Sequence, residues 1–263
     1  VRLANALAED LYGLGRFGEL ANLLNPLLGD ASGRELLRAR RITGVAFRRL
    51  GHRELAVGQL GACLQACVND LGQRHELTLT VCLSYANALR ACEQFDSALH
   101  YCGLAADGYR AALGPDHPLV QVAQVNAAAV HLTRGDREQA AKVLGAAYDA
   151  LADSVGEGHP FTVLTAVNRA FAVPTSAPEP VWSWPRQAYE QARKLFGPGH
   201  LDTLLAAAGF ALTRAARDEE DGLAPSLDHI LSELRRRFGS DRDLVTRVAC
   251  GMAIVVDIEL PSA

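Results

Sequence analysis

Between residues 118 and 156 the apolar positions recur at intervals of three and four. They run through Val122, Val125, Ala128, Ala129 and Leu132, then through Ala140, Val143, Leu144, Ala147, Tyr148 and Leu151. That period predicts two amphipathic helices. The polar triplet Arg134-Gly135-Asp136 interrupts it. Gly135 suits the left-handed cap that ends the first helix, and Asp136 is a residue type that caps the start of a second. Pro118 stands where a first helical residue belongs, since its missing N–H costs nothing there. Gly156 closes the second helix. The predicted unit is a helical hairpin.

The unit repeats. Its closing turn recurs as Leu71-Gly72-Gln73-Arg74-His75, Leu113-Gly114-Pro115-Asp116-His117, Val155-Gly156-Glu157-Gly158-His159 and Phe196-Gly197-Pro198-Gly199-His200, with a degenerate copy at Phe238-Gly239-Ser240-Asp241-Arg242. Small residues keep the same register: Gly44, Ala86, Ala128 and Ala170 midway along each first helix, and Ala56, Ala98 and Ala140 early in each second helix, all 42 apart. Small side chains there let the paired helices cross closely. A hairpin of this size cannot bury its stripe alone, so each must stack on the next. The pattern predicts an all-α fold, a right-handed α-solenoid of hairpins at about 1–30, 33–72, 76–114, 118–156, 160–197 and 200–239. A capping helix is expected at about 241–256, and a tail at 257–263. The fifth hairpin is irregular, because Val173-Pro174-Thr175-Ser176-Ala177-Pro178-Glu179-Pro180 cannot be helix; its second helix is expected to start near Pro185. The sixth carries an acidic loop at 218–222.

Composition removes several function classes. A formal net charge of −4 supplies no basic field for nucleic-acid phosphates. No run approaches the roughly 20 apolar residues of a membrane span, and the first residues lack a signal pattern. The expected location is cytoplasmic, and the start at Val1 suggests a fragment of something longer. Cys63 and Cys67, one helical turn apart, lack the tight turn of a zinc knuckle, so the six cysteines are read as small apolar packing residues. The four turn histidines repeat at the ~10 Å spacing of packed helices, too far apart to converge on one metal. Capping of the following helix, or bonding across the turn, fits their periodicity better. No metal site and no cofactor is expected.

These features resemble tetratricopeptide repeats, in the 42-residue variety of kinesin light chain. The resemblance rests on the Leu-Gly-Pro-Asp-His-Pro turn (113–118), the Val-Asn-Ala-Ala run (125–128) and the Gly-Asp-Arg-Glu-Gln-Ala breaker (135–140). The ending Val256-Asp257-Ile258-Glu259-Leu260-Pro261 is similar to the Asp-Ile-Glu-Pro-Pro ending of some actinobacterial proteins of this class. Those include the repeat component of FxSxx-COOH peptide-maturation systems and repeat regions of NB-ARC-type regulators. The resemblance implies a concave groove lined by first helices, with a peptide or a helix as partner.

Candidate groove residues follow. Asn126 and Asn168 occupy one column 42 residues apart, with Ile42 and Ser84 before them and Gly209 after. A carboxamide both donates and accepts, so it can grip a peptide backbone without reading side chains. Fastening of adjacent helices is the alternative. Asn87 resembles a second groove asparagine of peptide-binding repeats. The lysine and arginine that complete a carboxylate clamp in that family have no counterpart beside these asparagines. Arginines do occur elsewhere on first helices, and Arg41, Arg48 and Arg90 are placed to pair with an acidic segment or chain terminus, or else to form a solvated face. Trp182 and Trp184, in the proline-rich interruption, are candidate anchors for a partner.

No G-x-x-x-x-G-K-[ST] loop, G-x-S-x-G elbow or H-E-x-x-H helix is present, and no catalytic residue is assigned. The expected function is a non-catalytic scaffold that captures a peptide or helical segment of a protein partner. The alternative is a ligand- or peptide-sensing module of a larger bacterial signalling or transcriptional regulator.

Overall fold

A computed structural model describes residues 2–28, 33–172, 183–215, 225–238, 243–249 and 255–260. Trp182, Cys250, the proline-rich run at 173–180 and the acidic loop at 218–222 lie outside the described residues. The described elements are helices: α1 (Arg2–Gly13), α2 (Phe17–Leu24) with a short 3-10 turn (Asn25–Leu28), α3 (Arg34–Arg49), α4 (Arg53–Leu71), α5 (Glu76–Ala91), α6 (Phe95–Leu113), α7 (Pro118–Arg134), α8 (Arg137–Val155), α9 (Pro160–Phe171), α10 (Trp184–Phe196), α11 (Leu201–Ala215), α12 (Leu227–Phe238) and α13 (Asp243–Ala249). No helix among them is long and apolar enough to cross a membrane.

The chain divides into two compact units, residues 1–126 with 259–263, and residues 127–258. In the first, α1 packs on α2, α3 on α4 and α5 on α6, while α3 also touches both α1 and α5. First helices thus pack on one another, and the second helices α2 and α4 pack on the following first helices α3 and α5, which is hairpin stacking. In the second unit α9 packs against α8, α10 and α11, and α11 against α12. The architecture is an all-α solenoid.

The small-residue register has a direct cause. A Cβ built on Gly44 would lie 2.6 Å from Cγ of Leu60, a fully buried side chain of the paired helix. Ala86, Ala128, Ala56, Ala98 and Ala140 are likewise wholly buried. Leu60 joins Ala56 and Ala88 in a core cluster on which Phe47, Val57 and Tyr85 pack.

The turns show how the histidines work. Nδ1 of His75 accepts from the Leu77 N–H at 3.1 Å, and His117, His159 and His200 accept from Leu119, Phe161 and Asp202 at 3.2 Å. Each ring satisfies one of the orphan N–H groups at a helix start, in the place usually taken by Ser, Thr, Asp or Asn. In that role Nδ1 is the acceptor. A second clasp had no counterpart in the sequence reading: Thr78 and Thr162, three residues after His75 and His159, donate at 2.8 Å to the carbonyls of Gly72 and Gly156. Gly156 has φ 92° and ψ 155°, a region open in practice to glycine alone. It is not the left-handed helical cap, but the requirement for glycine is the same.

Cys63, Cys67, Cys82 and Cys102 are buried free thiols. Cys63 donates to the Leu37 carbonyl at 3.3 Å. Burial pushes the Cys82 thiol up to about 12, so it stays protonated as an apolar packing group.

One boundary differs from expectation. The capping helix was expected to run through Val256, but residues 255–260 are not helical. The Val256 N–H donates to Oδ1 of Asn168 at 2.8 Å, and its carbonyl accepts from Nδ2 of the same side chain at 2.6 Å. Both backbone groups are committed to a side chain, so neither can enter a helical ladder.

Candidate peptide-binding site

In the first unit, two first helices supply one polar cluster. Helix α3 contributes Arg41 and Arg48, seven residues apart, which is two turns and therefore one face. Helix α5 contributes Ser84 and Asn87, three apart on one face. These four side chains converge on the carboxylate of Glu259. Arg48 Nη2 donates to Oε1 at 2.9 Å and Asn87 Nδ2 to the same oxygen at 3.0 Å. Ser84 Oγ donates to Oε2 at 2.7 Å, and Arg41 Nη1 stands 3.8 Å from that oxygen. Arg41 also donates to Ser84 Oγ at 3.3 Å, which leaves the hydroxyl proton for the carboxylate.

The cluster is nearly dry. Side chains of Glu259 and Arg41 are 3% exposed and that of Arg48 is 6%. A lone buried carboxylate would cost several kcal/mol in desolvation, on the order of the effective penalty per ion in proteins. Here two guanidinium groups and two neutral donors saturate both oxygens. Charge-assisted bonds of this length are about twice as strong as neutral ones. The arrangement encloses the carboxylate of the chain's own Glu259.

In the second unit the contact is of another kind. Asn168, wholly buried on α9, takes both the N–H and the carbonyl of Val256. It grips backbone, and the side chain of Val256 plays no part in the bond. Ser84 and Asn168 belong to the same sequence column; Ser84 bonds Glu259 in the first unit and Asn168 bonds Val256 in the second. Asn126, between them in that column, is wholly buried.

The remaining candidates lie elsewhere. Arg90 is buried on α5, one turn beyond Asn87, so it is not part of a solvated face. Trp184 opens α10, next to Pro185. The Arg169 guanidinium carbon sits 3.5 Å over its ring and 5.0 Å over that of Tyr148, so a cation–π contact engages Trp184 within the chain.

The sequence reading missed the occupant. Val256, Ile258 and Leu260 alternate with Asp257 and Glu259; all but Glu259 are buried, and Glu259 is partly buried. Strict alternation over five residues was the available signal; it marks a non-helical segment with an apolar edge.

Comparison with known proteins places the fold. Residues 77–153 match the family model described as tetratricopeptide repeat. No curated protein sequence matches the chain. Among solved structures it is similar to the kinesin-light-chain nearly identical TPR-like repeats of Podosopora anserina. One point-variant form is 18% identical with a TM-score of 0.56, covering 73% of this chain and 94% of that one. Another form is 17% identical with a TM-score of 0.53, covering 76% and 94%. BtubC (BKLC) from P. vanneervenii is 15% identical with a TM-score of 0.53, covering 86% and 83%. Repeats of this type are generally protein-interaction scaffolds. With its histidine-capped hairpins and close small-residue crossings, the chain matches tetratricopeptide repeats over residues 77–153 and is similar in fold to the kinesin-light-chain TPR-like repeats.

Proposed function

We propose that the chain is a non-catalytic binding module that captures a non-helical acidic segment of a protein partner on its first-helix face. The carrying observation is the carboxylate of Glu259 enclosed by Arg41, Arg48, Ser84 and Asn87. Four donors from two helices converge on one anionic group, and all are already in place. Such preorganisation removes most of the ordering cost that a binding surface otherwise bears.

The test uses a capped, dye-labelled peptide with the sequence of residues 253–262, offered to the full chain carrying Glu259→Arg. Like charge beside Arg41 and Arg48 ejects the resident side chain and leaves the receptor open. Saturable binding is expected by fluorescence anisotropy. Adding Arg48→Ala should weaken it about tenfold or more, the equivalent of one charge-assisted hydrogen bond. Absence of saturable binding to the opened chain would sink the reading.

A further inference from the structure

We infer that Arg169 is a binding site for a carboxylate, the end of an acidic side chain or of a chain, taken edge-on by a guanidinium that two aromatic rings hold in place. Arg169 lies on α9, Tyr148 on α8 and Trp184 at the start of α10, all in the second unit. The Glu259 cluster has no part in it.

The repeat makes this arginine conspicuous. It fills a column whose earlier members, 42 residues apart, are Thr43, Tyr85 and Ala127. In the first unit Tyr85 packs edge-on against Tyr101 of its paired second helix, with 4.9 Å between centroids. Arg169 likewise meets Trp184 on the second helix of its own hairpin, but with a cation in place of a ring. Packing does not call for a charge there, since a hydroxyl, a phenol and a methyl group fill the equivalent positions.

Its surroundings satisfy only part of the guanidinium. The central carbon stands 3.5 Å over the Trp184 ring and 5.0 Å over that of Tyr148, so both rings engage it through their π faces. Those contacts use no N–H. The five N–H donors lie in the guanidinium plane. Among the described residues, none of them is taken up by a hydrogen bond or an ion pair. The side chain is half-buried, and none of its nitrogens is sealed from solvent. Its motion is therefore restricted while its donors stay within reach.

A planar fork held this way matches the two oxygens of a carboxylate, and holding it beforehand lowers the ordering cost of binding. Burial, then the exposed carboxylates Glu157 and Asp149, keep the Tyr148 hydroxyl above its ordinary value. Neither acid pairs with Arg169. With acids nearby, net charge contributes little to capture, and the paired short bonds of a bidentate ligand decide it. Chloride lacks that geometry and should not compete.

The chain has two tryptophans, so Trp182→Phe leaves Trp184 as the only fluorescent indole. This form of the full chain is titrated with N-acetylglycinate at constant ionic strength, sodium chloride making up the balance. Trp184 emission should change saturably. Arg169→Lys in the same background keeps the charge but loses the fork, and should weaken binding about tenfold or more. A response that stays linear, or that Arg169→Lys leaves unchanged, would overturn the site. Inorganic phosphate binding about tenfold tighter than N-acetylglycinate would overturn the assignment to a carboxylate. In the natural chain, the side-chain Nε–H signal of Arg169, displaced by the ring currents of both aromatics, gives a second readout by NMR. It should move with N-acetylglycinate and stay put with chloride. A signal that does not move would overturn the site even if Arg169→Lys failed to fold.

Discussion

A histidine at a helix start is an unusual choice of cap, and here it recurs at four turns. Each ring accepts from the N–H two residues on, and Nε2 of His75 lies 3.2 Å from Arg34 Nη2. The cap is the transferable part of this role. His159→Ala should cost about 1 kcal/mol of stability, the usual worth of a side-chain cap, whereas His159→Asn should recover most of it. Urea unfolding of the two variants checks this, and equal losses would mean that the ring's packing on Phe161, 4.8 Å between centroids, matters more than its nitrogen. The four histidines were legible as caps in the sequence because they repeat with the turn. The threonines that clasp Gly72 and Gly156 were not, since Val120 replaces threonine in the intervening copy and breaks the pattern.

At the scale of the element, hairpin geometry is set by how closely two helices approach. Gly44 has no room for a methyl group beside Leu60. Gly44→Ala gains about 1 kcal/mol of helix propensity but overpacks a close crossing at a cost of about 1–3 kcal/mol. A net loss of about 1 kcal/mol is expected, read as a lower urea midpoint with an unchanged slope. Gly44→Ala combined with Leu60→Val should recover part of it, because the shorter side chain vacates the contested space. The small-residue column was visible in the sequence; the partner of each small residue was not. Register within one helix follows from periodicity, but the atom opposite it belongs to a helix some sixteen residues away.

For the whole molecule, stability at high pH depends on buried groups that must stay neutral. Burial pushes Tyr109 up to about 12 from an ordinary 10.0, and Cys82 up to about 12 from 9.0. Tyr109 keeps its hydroxyl 3.1 Å from that of Thr80 inside the stack. In the unfolded chain both groups lose their protons first. Their contribution is therefore complete below about pH 9 and is lost progressively as pH rises toward 12. Thermal melts should fall steadily over that window and stay level from pH 7 to 9 as far as these groups are concerned. Tyr109→Phe together with Cys82→Ala should flatten the alkaline slope. An unchanged slope would mean that other groups set alkaline stability.

The fold class, the hairpin rhythm and the two helix faces were fixed by the spacing of apolar and small residues, since period alone decides which side of a helix is buried. Sequence likewise singled out Arg41, Arg48, Asn87 and Asn168, because charge and carboxamide are conspicuous on helices built to pack. What tertiary structure alone decided is what those groups touch. Glu259 lies 211 residues from Arg48, and Val256 lies 88 from Asn168. No local pattern encodes a meeting across such distances. It arises because hydrophobic stacking brings α3 and α5 side by side, and the donors gathered there require an anion that the chain itself supplies.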